Sequence, residues 1–201
     1  MAIRLVTPPA AEPVTLTEAK AHLRVDHDAD DTLITAMIAA SRTYCENWTA
    51  RAFVTQTWEL VLDAFPTAEI LIPRPPLQSV TSIKYDDGAG VEQTLGTLLY
   101  AVDSVSQPGW VVPASSGWPT GVWDGINSVR IRYVAGYDPG TSSPVDLAEN
   151  VPGDLKAAIL LYLGQLYDQR EDVVVGTIVN KLPSGNVDFL LRNHRVALGM
   201  A

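Results

Sequence analysis

The chain has 201 residues, 47% of them hydrophobic, enough for the core of one domain or of one domain carrying an insertion. A net charge of -9 argues against a protein that wraps nucleic acid through phosphate contacts. Its one cysteine, Cys45, excludes an internal disulfide or a cysteine zinc cluster and reads as a thiol kept reduced in a cytoplasm.

Residues 1–13 are Pro-rich and read as extended. The opening decapeptide has too few apolar residues for a signal peptide, and no stretch is a transmembrane candidate. Thr15 with Glu18 three residues later forms a capping box, predicting a short helix over about Thr17 to Arg24. The acidic run Asp26 to Asp31 ends it and supplies negative charge to the next helix start. Helix two is expected from about Asp31 to Trp48, with Leu33, Ile34, Met37, Ile38, Ser41, Cys45 and Trp48 as its stripe.

The period then drops to two. Strands are expected over Thr57 to Asp63, Glu69 to Ile72, Val80 to Tyr85 and Val91 to Leu95, with Asp86 to Gly90 as a hairpin turn. Leu98 to Val102 and Trp110 to Val112 are weaker strands, and Ser115 to Gly125 is loop. Val129, Ile131 and Tyr133 alternate with Arg130 and Arg132, the mark of a half-buried strand with a basic outer face.

Pro152 to Glu171 returns to helical period. Leu155, Ala158, Ile159, Tyr162 and Leu166 form one face, and Leu160, Leu161 and Leu163 add apolar surface elsewhere. A helix apolar nearly all round must be covered nearly all round. Leu160, Leu161 and Leu163 are therefore candidates for a subunit interface. The tail from Val173 onward is locally basic and carries Val187, Phe189, Leu190, Leu191 and Val196 beyond a Pro-Ser-Gly break. It reads either as a strap on the parent core or as an arm ordered by a partner, and the expectation taken is the arm, with residues 180–196 ordering only on that partner.

The pattern predicts an α+β fold: a small helical bundle with a β-rich insertion between the second and third main helices, and an extended C-terminal tail. The expected divisions are 1–54 for the N-terminal helical part, 55–140 for the insertion, 141–172 for the long helix and 173–201 for the tail.

Catalytic patterns fail one by one. Asp26-x-Asp28-x-Asp30 opens like a calcium loop, but its sixth position is Asp31 and its twelfth Met37, where Gly and Glu are needed. His22 and His27 are five apart and His194 is remote, which is poor zinc spacing. Cys45 lies on an apolar stripe and reads as a buried structural thiol. No Gly-rich phosphate loop opens a helix, and no nucleophile elbow occurs. Trp110, Trp118 and Trp123 near Arg130 and Arg132 could stack single-stranded bases, but tryptophans in loops more often pin the loop or meet a protein. The reading is a non-enzymatic protein without metal or cofactor. The competing classes are a monomeric cytoplasmic binding module and a hydrolase with a site built from scattered Asp and His residues.

A series of motifs carries a more specific resemblance. It runs through Leu16 to Val25, Asp30 to Ile34, Ile38 to Arg42, Ile72 to Val80, Ile83 to Tyr85, Val129 to Tyr137 and Val151 to Ile159, then Tyr167 and Arg170-Glu171. In order and spacing the chain resembles the head–tail connector, or adaptor, proteins of long-tailed phages and phage-like gene transfer agents. The tail departs from the family pattern, with Leu190-Leu191 and His194-Arg195 where a Leu-Leu pair and a Tyr-Arg are usual. The resemblance implies a non-enzymatic structural protein, made in the bacterial cytoplasm and located in the virion neck. There it would form a ring, usually twelve-fold, between the portal protein and a stopper or tail-proximal neck protein, away from any membrane. DNA would pass through the channel without sequence-specific binding. Phe189, Leu190, Leu191, Arg192, His194 and Arg195 would be the tail's portal contacts. Carboxylates lining such a channel would repel DNA and give it no place to stick.

Overall fold

The computed structural model describes residues 1–137, 146, 148–169 and 184–196. The chain runs β1 (Ala2–Thr7), α1 (Leu16–Leu23), α2 (Asp31–Thr49), β2 (Gln56–Leu62), β3 (Ile70–Ile72), β4 (Leu77–Asp86), β5 (Glu92–Thr94), β6 (Tyr100–Asp103), β7 (Gly109–Pro113), β8 (Val129–Ala135), α3 (Gly153–Asp168) and α4 (Ser184–Arg192). The α+β architecture expected from periodicity is present: a helical bundle with β2 to β8 inserted between α2 and α3.

Helix α1 starts as its sequence dictates. The Thr15 hydroxyl accepts from the Glu18 N–H at 3.2 Å, and the Glu18 carboxylate accepts from the Thr15 N–H at 2.8 Å. The Thr15 N–H first, and then the Thr15 hydroxyl, which donates to the same carboxylate at 2.8 Å, hold the Glu18 carboxyl below the usual range. Helices α1 and α2 both end on a left-handed residue, Arg24 and Ala50, whose N–H turns back to the helix carbonyls. The acidic run between them has a structural use. Lys20 Nζ donates to Asp28 and Asp31 at 2.6 and 2.7 Å, and the Tyr167 hydroxyl donates to Asp30 at 2.6 Å. The loop thereby ties α1, α2 and α3 together.

The bundle core contains Val14, Ile34, Ile38, Cys45, Phe53, Leu155, Ile159, Leu163, Val187 and Leu191. Tyr44 of α2 and Tyr162 of α3 stack at 4.1 Å between centroids, with planes 3° apart. A second core lies in the β unit and includes Leu60, Ile72, Ile83, Val111, Ile131 and Tyr133. Its main sheet has five antiparallel strands in the order β1-β2-β8-β4-β5, and a smaller sheet has the order β3-β7-β6.

Strand β8 alternates as read: Val129, Ile131, Tyr133 and Ala135 point inward, Arg130 and Arg132 outward. The outer face is not basic, because each arginine meets carboxylates from neighbouring strands. Arg132 and Arg4 both bind Glu59, and Arg130 binds Asp86 through two nitrogens at 2.5 and 3.0 Å. Cross-strand pairing places these charges opposite one another, with Arg4, Glu59 and Arg132 in register across β1, β2 and β8.

Two elements depart from the expected pattern. Residues 2–7, grouped with the helical part by sequence, form the edge strand of the five-stranded sheet. In the tail, residues 184–192 are helical and packed on α3 and α2. Further along, a single 3-10 turn over Thr97–Leu99 replaces the start of the strand expected from Leu98.

Candidate partner-binding surface

The bundle and the β unit meet at a polar joint centred on Glu46, whose side chain is nearly buried at the end of α2. Its carboxylate accepts from the Phe53 N–H at 2.8 Å, from the Gln56 amide at 2.5 Å and from Arg42 at 2.6 Å. Arg42 also reaches Glu12 at 2.7 Å. Arg74, from the Pro-Arg-Pro-Pro segment, donates to the Glu46 carbonyl at 2.9 Å and to Asn47 at 2.7 Å, and lies over the Trp58 ring. Burial raises the Glu46 carboxyl against the pull of the Arg42 guanidinium. A perturbed acid in a cleft can mark catalysis. Here each oxygen is taken by a structural donor.

Two other residues weighed for chemistry are likewise occupied in structure. Cys45 is fully buried, and burial pushes its thiol up to about 12. Trp118 donates to the Ala68 carbonyl at 2.8 Å and stacks on Phe65, so it pins its loop to the sheet. Among the described residues no group of three His, Cys, Asp or Glu side chains could hold a metal ion. No helix among them is long and apolar enough to cross a membrane.

Helix α3 is covered more fully by its own chain than its sequence suggests. Leu163 is fully buried, Leu160 is half-buried against the bundle core, and Leu161 is 37% exposed. Of the three interface candidates, Leu161 has most surface left for a neighbouring subunit. The cover comes from α1, α2 and α4. Helix α4 was the element hidden in the sequence, because its start at Ser184 follows directly on Pro183 and its stripe is short.

The tail candidates divide by face. Leu191 is fully buried and Leu190 packs at the edge of the bundle core, so both are anchors to the chain's own helices. His194 is joined to Asp154 at the start of α3 by a 2.5 Å contact. The His194 carbonyl accepts from Arg51 at 2.5 Å, and the Val196 N–H donates to the Thr49 carbonyl at 3.0 Å. Phe189, Arg192 and Arg195 face outward. Arg195 lies over the Trp48 ring at 5.4 Å. Together with Asp188 these residues line an open groove between α2 and α4. Neither Arg192 nor Arg195 has a carboxylate partner among the described residues, whereas Arg4, Arg42, Arg130 and Arg132 are all ion-paired. Trp48, half-buried against the bundle core at the end of the α2 stripe, supplies the other wall of the groove.

Residues 13–89 match the model of the family described as phage gp6-like head-tail connector protein. That stretch holds the capping box, α1, α2 and the first strands of the insertion, and over it the resemblance read from the motifs is borne out. Among curated proteins no sequence match was found. Three solved chains share the fold over 98% of this chain and 96% of their own. One is from the neck of an empty gene transfer agent (GTA) particle computed with C6 symmetry, with 23% identity and a TM-score of 0.78. A second is from the virion of a native gene transfer agent particle, at 24% and 0.76. The third is from the neck of a native GTA particle computed with C12 symmetry, at 24% and 0.71.

Proposed function

We propose that this protein is a structural adaptor in the neck of a phage-like particle, joining portal to stopper or tail and letting DNA pass. The observation that carries the reading is the coincidence of two likenesses. The connector-family match covers the first helices and strands, and the neck-particle fold extends over 98% of the chain. The physical features agree. The titratable groups that burial perturbs most serve packing or the joint, and an acidic chain suits a conduit that must not hold DNA.

In this reading twelve copies form a closed ring through heterologous contacts between neighbours, with Leu161 at or beside a subunit contact. The C-terminal surface, Phe189 with Arg192 and Arg195, faces the portal. Leu190, Leu191 and His194 hold that surface in place. No catalytic step is assigned.

The test is assembly with the portal protein made alongside this chain. Sedimentation of the mixture should give one species carrying portal and adaptor in fixed proportion. A chain that stays monomeric at high concentration, with portal present, contradicts the reading and favours a free-standing binding module.

A further inference from the structure

We propose that the groove between α2 and α4 is a docking site for an acidic segment of another protein that also carries an aromatic or aliphatic side chain. The proposal rests on the adaptor reading and deepens it by naming the chemistry of the segment met.

The groove, about 380 Å³ in volume, is lined by Trp48, Asp188, Phe189, Arg192 and Arg195. Phe189 is 73% exposed although Val187 and Leu191 on the same helix are 1% and 0% exposed. Helix α4 thus fastens one face to the bundle and sends a phenyl ring into water from the other. An exposed aromatic beside a half-buried indole offers a slot for one apolar side chain. The two guanidiniums beside it lack carboxylate partners among the described residues, in a chain with 23 acidic and 14 basic residues. A surface this basic on so acidic a protein complements carboxylates supplied from outside.

Nucleic acid could also meet the guanidiniums and stack on the rings. The net charge of -9 favours peptide, because it opposes a polyanion of DNA's charge density.

The experiment uses the full chain in assembled particles, with the substitution Phe189→benzoylphenylalanine as a photo-crosslinker. Phe189 is exposed, so the change leaves the core intact. The expected product joins position 189 to a segment of a different protein that bears several carboxylates. In parallel, R192E/R195E should reduce incorporation into particles at least about tenfold, since charge reversal sets like charges face to face. Circular dichroism should show that variant still folded. Cross-linking to a second copy of this chain, to DNA or to a segment without carboxylates overturns the proposal. So does the absence of any cross-link in particles that contain the chain, or unchanged incorporation of the folded double variant. Absence of the wild-type chain from particles overturns the adaptor reading, and this proposal with it.

Discussion

Glu46→Ala should destabilise the folded chain by about 3–5 kcal/mol, the range for breaking a buried ion pair from one side. The loss is large because three donors point at one carboxylate. Arg42, the Phe53 N–H and the Gln56 amide would all lose their acceptor in a place where water does not replace it. Arg42 keeps Glu12, so its guanidinium is not wholly stranded. Glu46→Gln should cost less, about 1–3 kcal/mol, because a carbonyl oxygen still serves Phe53 and Gln56 while its amide faces Arg42. Urea denaturation measures both. A Glu46→Ala midpoint equal to wild type would show that the joint between bundle and β unit does not depend on this carboxylate.

Leu191→Ala should cost about 2–5 kcal/mol, as expected for a leucine removed from a packed core. Phe189→Ala, two residues earlier, should stay within about 0.5 kcal/mol of wild type, as exposed positions do. The contrast follows from burial alone: Leu191 is 0% exposed and Phe189 is 73% exposed. It also decides between the two sequence readings of the tail. A tail that orders only on its partner would contribute nothing to the stability of the free chain, and both substitutions would then be neutral. Urea midpoints of the isolated protein separate the two cases. Equal midpoints would contradict the docked helix.

Most of the framework was legible because its signals are local. The Thr15–Glu18 capping box, the 3.6-residue stripe of α2 and the alternation of Val129, Ile131 and Tyr133 are each set by neighbours in sequence. What escaped depends on partners far along the chain. Strand β1 lies in a Pro-rich lead and becomes a strand because β2 offers it an edge. Arg130 and Arg132 looked like a basic face because Asp86 and Glu59 come from β4 and β2. Leu163 looked like interface because α4, short and set directly after a proline, gave too weak a period to be seen as its cover. The outward face of the tail was half legible: Phe189, Arg192 and Arg195 are exposed, as contact residues must be, whereas Leu191, grouped with them, is buried, because sequence alone does not show which face of a short helix its own bundle takes. Trp48 lies on the α2 stripe, as its spacing indicates, and lines the groove with the part of its ring the bundle leaves uncovered.

The central claim is a place in an assembly, and a reconstruction of the neck of the assembled particle tests it most directly. The account predicts density for this chain as a closed ring beneath the portal. Leu161 should lie at or beside a subunit contact, and the α2–α4 groove should be filled by a segment of another protein. A neck complete without this chain, or this chain found only free of particles, would contradict it.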